Sequence, residues 1–292
     1  MAHAEKTESS ASIFPIHGRY LVFVWLFLPY WVPGLTALYF YLLLKWPVLE
    51  SYYWFDVVYY YYFYGLFGLT LVAGMLITRT SWQPFFSPIR RSAILPSLEL
   101  TLFIFVFSSA AIYWVFWPLA YVAPNFVQAW LIDLPGLIYW DGAGYPALAN
   151  LLGFCSLVIL APVFEELVFR GVLLQRWSTK FSTHIAVMLS SAIFAAVHTD
   201  PLGAFAFGLA MSYLAIRTGS LWLPILCHAL NNLAVWLIEL AYLIVDGPDT
   251  MWTLQDLKDE WWLGLIYTAL ACVWALRIVK RIPPIHTWRA AD

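Results

Sequence analysis

Residues 161–171, APVFEELVFRG, place two glutamates and one arginine within an otherwise apolar stretch. The apolar stretch extends over residues 148–175 and exceeds the roughly 20 residues that a membrane-spanning helix needs. An unpaired charge in the middle of a bilayer costs at least about 3 kcal/mol, so such groups persist when they are paired or when they line a wet cavity. The stretch therefore predicts a spanning helix whose charged residues have a function.

The composition of the whole chain is that of a membrane protein. Of its 292 residues, 63% are hydrophobic and 11% are charged, and the mean hydropathy is +0.76. Soluble domains carry about 25% charged residues. The net charge of −2 predicts no nucleic-acid partner. The widely spaced Cys155, Cys227 and Cys272 predict neither a disulfide framework nor a cysteine metal site.

The apolar segments predict an all-α fold, a polytopic transmembrane helix bundle with about eight spans. The fifth and sixth segments are short, about 15 residues or about 22 Å, against a hydrocarbon core of ~30 Å. Residues 126–140 are interrupted by Asp133 and Pro135, and we interpret them as an interfacial helix. The predicted spans are residues 20–44, 57–78, 93–122, 148–175, 183–198, 203–217, 221–245 and 261–281.

The basic residues predict the orientation of the bundle. If the N-terminus is cytoplasmic, every lysine and arginine outside the spans lies on the inner side except Lys45 and Lys258. We therefore predict that both termini are cytoplasmic and that the acidic residues 246–260 face outward. The tyrosine-rich residues 59–64 (YYYYFY) and Glu239 are interpreted as positions at the membrane interface.

The predicted spans divide the chain into four parts. Residues 1–18 form a polar N-terminal tail, and residues 19–147 form accessory helices with three spans and the interfacial segment. Residues 148–240 contain the polar clusters described next and form the predicted catalytic core. Residues 241–292 supply an outer loop, the last span and a cytoplasmic tail.

The first polar cluster consists of Glu165, Glu166 and Arg170. Glu166 and Arg170 are four residues apart, so a helix places them on one face, where they can form an ion pair. Glu165 is rotated by about 100° from Glu166 and can face another direction. The spacing predicts one structural carboxylate and one carboxylate that is available for chemistry.

Two further clusters follow in later spans. Phe194 and His198 are four residues apart, just before a proline that ends the helix, so we expect a hydrated pocket at that depth. His228 and Asn232 are also four apart and project together, whereas Asn231 is predicted to point about 100° away. A histidine and an asparagine side by side can donate hydrogen bonds to a developing oxyanion.

Each cluster alone has a structural explanation. A histidine or asparagine in a membrane helix commonly bonds a neighbouring helix, and the Glu166–Arg170 pair can hold helices together. The clusters together supply a carboxylate, a histidine and a histidine–asparagine donor pair. Those groups are sufficient to activate a water molecule and hydrolyse an amide.

The ordered motifs are EExxxR (165–170), FxxxH (194–198) and HxxxN (228–232). They resemble the CAAX protease and bacteriocin-processing family, also called the CPBP or Abi family, of intramembrane glutamic proteases. The resemblance covers about residues 148–240 and includes RTGSLWLPILCHALNN (217–232). It implies a helix bundle with a conical cavity open to the cytosol. It also implies peptide hydrolysis with neither a metal nor a nucleophilic side chain, so no cofactor is expected.

The resemblance also implies roles for individual residues. Glu165 would be the general base, and His198 would hold and orient the water. His228 and Asn232 would form the oxyanion hole. The resemblance implies supporting positions in the helix and the pocket wall for Glu166, Arg170 and Phe194. We expect a membrane-associated protein or peptide as substrate, matured or sorted in the lipid bilayer of a prokaryotic cytoplasmic membrane.

Three alternatives remain open at this point. Glu165, His198 and His228 could instead be zinc ligands in a two-histidine, one-carboxylate site, although the sequence has no HExxH motif. The chain could be a non-catalytic immunity or scaffold protein that binds a membrane peptide. It could also be a transporter with an intramembrane ion path, which the lack of internal repeats disfavours.

The predicted topology contains one conflict. The fifth span runs outward and carries His198 away from Glu165, which lies about 15 Å from the inner end of its own span. The two side chains meet only if the fifth helix begins deep in the membrane or tilts.

Overall fold

A computed structural model describes residues 32–79, 81, 83–141, 144–247, 252–278 and 280–282. The predicted N-terminal tail, the beginning of the first predicted span and the end of the C-terminal tail lie outside these residues. The described residues are largely helical and contain no β-strand beyond one isolated bridge between Asp141 and Gly144. The prediction of an all-α polytopic bundle is confirmed.

The helices of the described residues are numbered here in chain order. Two shorter helical stretches, Pro124–Val127 and Gln128–Ile132, follow the third helix directly. The numbered helices are α1 (Val32–Lys45), α2 (Tyr52–Thr78), α3 (Arg91–Val122), α4 (Ala147–Ser178), α5 (Thr183–Ala196), α6 (Pro201–Thr218), α7 (Trp222–Asp246), α8 (Leu254–Asp259) and α9 (Trp261–Ile278).

Five of these helices, α2, α3, α4, α7 and α9, are long and apolar enough to cross a membrane. They correspond to the second, third, fourth, seventh and eighth predicted spans. Helix α5 has only 14 residues, as its short apolar stretch predicted. The total of about eight spans stays a prediction, because residues 20–31 of the first span lie outside the described residues.

Helix α4 is the centre of the bundle and is not a regular α-helix. Residues Ser156–Leu160 and Leu167–Leu174 form π-helical turns on either side of Ala161–Glu166. Pro162 has no backbone N–H to donate, which favours a change of helical hydrogen bonding in the preceding turn. A π turn holds more residues than an α turn, so it rotates the side chains that follow away from a regular 3.6-residue pattern.

The core forms where α4 meets α5, α6 and α7. All residues of Leu167–Leu174 are buried, and α3 packs against α6, α7 and α9 around them. Helices α5 and α6 approach closely because Gly208 lies against Ser191: a Cβ at position 208 would come within 2.8 Å of the Ser191 Cβ. Small residues at such a crossing are typical of helix pairs in membranes.

The interfacial helix predicted for residues 126–140 is shorter in the structure. It ends at Ile132, and residues 133–141, here called the tethered segment, are irregular except for the bridge at Asp141. The Glu239 carboxylate of α7 accepts hydrogen bonds from the backbone N–H groups of Leu137 at 2.6 Å and Ile138 at 2.9 Å. This carboxylate satisfies two N–H groups that a helix would have paired with its own carbonyls.

Helices α2 and α4 hold the other end of the tethered segment. The Asn150 side chain accepts from the Tyr139 N–H at 2.7 Å and donates to the Tyr139 carbonyl at 2.8 Å. The hydroxyls of Tyr52 and Tyr53 donate to the Trp140 carbonyl and the Asp141 carboxylate, both at 3.0 Å. Tyr52 and Tyr53, which precede the tyrosine-rich residues 59–64 in α2, thus attach an irregular segment to the bundle.

Replacing Glu239 tests this attachment. We expect Glu239→Ala to raise the rate of amide hydrogen exchange in residues 133–141 by at least about tenfold, because two backbone bonds lose their acceptor. Hydrogen exchange with mass spectrometry on the protein in nanodiscs measures this rate. Glu239→Gln keeps one carbonyl acceptor and should have a smaller effect. Unchanged exchange in Glu239→Ala would contradict the role of the carboxylate.

Candidate active site

The structure brings the predicted catalytic side chains together between three elements. Helix α4 carries Glu165, the turn that follows α5 carries His198, and the first half of α7 carries His228. The Glu165 Oε2 atom lies 3.8 Å from the His198 Nε2 atom and 3.9 Å from the His228 Nε2 atom. This Oε2 atom is buried and has no hydrogen-bond partner among the described protein groups.

The orientation of both imidazole rings follows from their other nitrogen. The His198 Nδ1 atom lies 2.6 Å from the Phe194 carbonyl oxygen, and the His228 Nδ1 atom lies 2.9 Å from Glu166 Oε1. A carbonyl and an ionised carboxylate can only accept, so each Nδ1–H is the donor. In the neutral rings both Nε2 atoms therefore carry lone pairs, and both are directed at Glu165.

The buried ion pair of Glu166 and Arg170 supports this arrangement. Both side chains are fully buried, and the Arg170 Nη1 atom donates to Glu166 Oε1 at 2.7 Å. The same Oε1 atom holds His228, while Arg170 Nη2 donates to the Gly208 carbonyl of α6 at 3.3 Å. Arg170 thus pairs with Glu166, whereas His228 lies near both carboxylates, with Nδ1 towards Glu166 and Nε2 towards Glu165.

Aromatic rings fix the positions of the two histidines. The Phe194 ring stacks on His198 with centroids 4.2 Å apart. The Arg170 guanidinium lies 4.7 Å from the centroid of the same Phe194 ring. The Phe207 ring contacts His228 edge to face at 4.8 Å. Phe207 was not among the predicted residues, because nothing in its apolar helix distinguishes it from other core phenylalanines.

The asparagines of α7 form a short hydrogen-bond chain. Asn232 Nδ2 donates to the Leu157 carbonyl at 3.0 Å, and Asn232 Oδ1 accepts from Asn231 Nδ2 at 3.4 Å. The second N–H of Asn232 remains available as a donor. Asn231 was predicted to point away, but both asparagines line the same cavity. The cavity therefore extends around more than one face of α7.

A cavity of about 140 Å³ adjoins the two histidines and has room for several water molecules. Helix α7 contributes His228, Asn231 and Asn232 to its wall. Helix α3 and the turn after α5 contribute Ser108 and Asp200, which the sequence analysis did not assign to the site. Their only signal was polarity within apolar surroundings, since contacts between distant segments leave no spacing pattern in the chain.

His198 and Glu165 meet in the structure, although the predicted topology placed them apart. Helix α5 ends at Ala196, and residues 197–200 turn directly into α6. His198 therefore lies beside the middle of α4 instead of at the far end of a full-length span. The distance of 3.8 Å between the two side chains follows from this early ending.

The atoms that meet at Glu165 are of the kinds that bind zinc, but they lie too far apart to share one ion. One carboxylate oxygen and two imidazole nitrogens are the donors of a two-histidine, one-carboxylate zinc site. Within the described ranges, no group of three histidine, cysteine, aspartate or glutamate side chains is arranged to hold a metal ion. Glu165, His198 and His228 would have to come closer together to become its ligands.

Comparison with known proteins identifies the region that contains these residues. Residues 147–234 match the family model described as "Type II CAAX prenyl endopeptidase Rce1-like". This match supports the resemblance to the CPBP family, so residues 147–234 are here called the CPBP region. The CPBP region begins with α4 and ends just after Asn232, so it contains every predicted site residue.

Two curated proteins are similar to the chain over part of their length. The "Putative membrane peptidase YdiL" of Bacillus subtilis is 33% identical over 85 residues, which cover 28% of this chain and 35% of the relative. An "Uncharacterized 24.3 kDa protein" of Escherichia coli is 31% identical over 86 residues, 27% of this chain and 40% of the relative. The chain thus spans less than half the length of either relative. No solved structure matches the chain.

The buried ion pair of the CPBP region gives a stability prediction. We expect Arg170→Ala to lower the free energy of unfolding by about 3–5 kcal/mol, because Glu166 loses its buried counter-charge. Thermal unfolding of the detergent-solubilised protein measures the effect. Arg217→Ala, at an exposed position near the end of α6, is the matched control. Equal unfolding midpoints for the two variants would show that the pair does not stabilise the bundle.

Proposed function

We propose that this protein is an intramembrane endopeptidase in which Glu165 activates water to hydrolyse a peptide bond. The observation that carries the proposal is the convergence of Glu165 Oε2 with the Nε2 atoms of His198 and His228, two histidines that line a cavity. The similarity to a CAAX prenyl endopeptidase model and to a membrane peptidase supports the same reaction class.

The reaction needs one base and one place for the negative charge. The Glu165 carboxylate takes a proton from water, and the water oxygen bonds to the peptide carbonyl carbon, which leaves a negative charge on the carbonyl oxygen. The carbonyl re-forms as the C–N bond breaks, and the proton on Glu165 passes to the leaving amine. Glu165 ends as a carboxylate, and the products are an acid and an amine.

His198 has the geometry to orient the attacking water. Its Nδ1–H is bonded to the Phe194 carbonyl, so the Nε2 lone pair can accept the second hydrogen of a water molecule that donates its first to Glu165. This leaves one lone pair of the water free to attack. The stacked Phe194 ring restricts rotation of the imidazole during the step.

His228 and Asn232 supply the oxyanion hole in this proposal. Asn232 keeps one N–H that is not used by the Leu157 carbonyl. For His228 to donate from Nε2, its ring must carry both protons, and the Glu166 carboxylate at Nδ1 would balance the added charge. The support for this role is that both side chains line one cavity and that the His228 Nε2 atom lies 3.9 Å from Glu165 Oε2.

The chemistry of the surroundings favours a substrate that reaches the bilayer. The candidate site lies between α4, α5, α6 and α7, of which α4 and α7 are long enough to cross a membrane. A membrane-associated protein or peptide, matured or sorted in a prokaryotic cytoplasmic membrane, fits this position. Nucleic acid is not proposed as a partner, because the chain has a net charge of −2.

Replacing the base tests the proposed reaction. We expect Glu165→Gln to abolish cleavage while the protein keeps its thermal stability. The amide has the same shape as the carboxylate, Glu165 Oε2 has no hydrogen-bond partner among the described groups, and the buried arginine pairs with Glu166. Comparative C-terminal proteomics of cells with the wild type or Glu165→Gln identifies the lost products.

His198→Ala should also abolish cleavage, and His184→Ala, at an exposed position of α5, is its control. Full cleavage by Glu165→Gln would show that Glu165 is not the base, and products that do not depend on the wild-type protein at all would favour a non-catalytic peptide-binding protein.

The oxyanion donors give a graded prediction. We expect Asn232→Ala to lower kcat by about 100- to 1000-fold, the usual effect of one oxyanion-hole donor. The rate is measured with a purified enzyme and a peptide that contains the cleavage site found by proteomics. A loss of less than about threefold, with unchanged stability, would remove Asn232 from the oxyanion hole.

Zinc-dependent proteolysis is the second candidate, favoured by the two Nε2 lone pairs that face the Glu165 carboxylate. The residues Glu165, His198 and His228 would then hold the ion, which would polarise the attacking water. Metal analysis of the purified protein and cleavage after treatment with a chelator distinguish the candidates. The glutamate mechanism predicts full cleavage in chelator, whereas loss of cleavage that zinc restores would favour the metal site.

A further inference from the structure

The turn that carries His198 is held by neighbours that the proposed reaction does not use. Trp130 Nε1 donates to the Thr199 carbonyl at 3.0 Å. Asp200 Oδ1 accepts from the Gly203 N–H at 3.0 Å and so caps the beginning of α6. Asp200 Oδ2 accepts from the hydroxyl of Ser108 on α3. The turn is thus fixed from three directions.

Gly203 leaves the space in which the Ser108–Asp200 bond forms. A Cβ at position 203 would overlap both the Asp200 Oδ2 atom and the Ser108 Oγ atom. A side chain there would force the bonded pair apart. The bond between Ser108 and Asp200 therefore requires glycine at position 203.

We infer that Ser108 and Asp200 are positioning residues that set the place of His198 in the proposed reaction. The Nδ1 bond to the Phe194 carbonyl and the stacked Phe194 ring fix how the imidazole is rotated. They leave the backbone beyond His198 to be fixed by other groups. Asp200 is two residues further along the turn, so the bond to Ser108 fastens this backbone to α3.

The location of the pair separates this inference from simple helix capping. The cap of α6 needs only the Oδ1 atom of Asp200, which the Gly203 N–H uses. The second oxygen binds a different helix, and both Ser108 and Asp200 line the cavity that His198 lines. The link to α3 at this point fixes the position of His198 relative to the cavity wall. This position affects the reaction, because a misplacement of a catalytic group by about 1 Å can lower the rate by about 100-fold.

The test uses the full-length protein in nanodiscs and a variant that removes one hydroxyl. Ser108→Ala deletes the donor without adding volume, and Ser109→Ala is the matched control. The Ser109 hydroxyl donates at 3.0 Å to the Phe105 carbonyl of its own helix. Two quantities are measured: kcat and KM for a cleaved peptide, and the imidazole ¹⁵N resonances of the six histidines, assigned by single substitutions.

We expect Ser108→Ala to lower kcat by about 10- to 100-fold, because a displaced His198 no longer orients the attacking water. KM should change by less than about twofold, because the groups that bind the peptide stay in place. The His198 resonances should shift while those of His228 stay in place. Ser109→Ala should change neither quantity. Unchanged kcat and His198 resonances in Ser108→Ala, or equal losses in both variants, would overturn the inference.

A double substitution checks that the two residues act through one bond. If they do, Ser108→Ala should have little further effect on kcat in a protein that already carries Asp200→Ala. Losses that multiply would contradict the inference. The kinetic part of this test rests on the proposed function, whereas the histidine resonances can be measured without cleavage. Absence of cleavage by the wild type would contradict the proposed function. A shift of the His198 resonances in Ser108→Ala would still support the positioning role.

Discussion

The ion pair between Glu166 and Arg170 is the interaction on which the rest of the structure depends. Removing two charges from water costs several kcal/mol per ion, and a close ion pair alone does not always compensate for this. Here the pair has additional partners, because Glu166 binds His228 of α7 and Arg170 binds the Gly208 carbonyl of α6. One charged pair on α4 thereby sets the relative positions of three helices and the direction of one imidazole ring.

Much of the fold could be predicted from the sequence because the bilayer restricts what the chain can do. Long apolar stretches indicated α2, α3, α4, α7 and α9, and the short stretch before His198 indicated a short α5. The tethered segment could not be predicted. Its path depends on hydrogen bonds that its backbone N–H groups donate to Glu239 and Asn150, and no sequence pattern links these two residues to residues 133–141.

The site was predictable where four-residue spacing decides which side chains share a helix face. Glu166 with Arg170 is such a case, and Glu165, one position away, pairs with no arginine and lies near His198. The spacing could not reveal Ser108, Phe207 or the cavity-facing position of Asn231. These depend on how α3 and α6 pack against α7, and the π-helical turns of α4 further shift the phase that a regular helix would have.

The two π-helical turns of α4 also offer backbone oxygens to neighbouring helices. The Leu157 carbonyl accepts from Asn232 of α7, and the Phe169 carbonyl accepts at 3.0 Å from the buried Ser190 hydroxyl of α5. The acceptors are main-chain atoms, so they persist whatever apolar side chain occupies positions 157 and 169. A change of the half-buried Leu157 side chain would therefore leave its acceptor in place, while Phe169 also packs edge to face against Phe194. A single-residue deletion within either turn would move the oxygen and uncouple the helices.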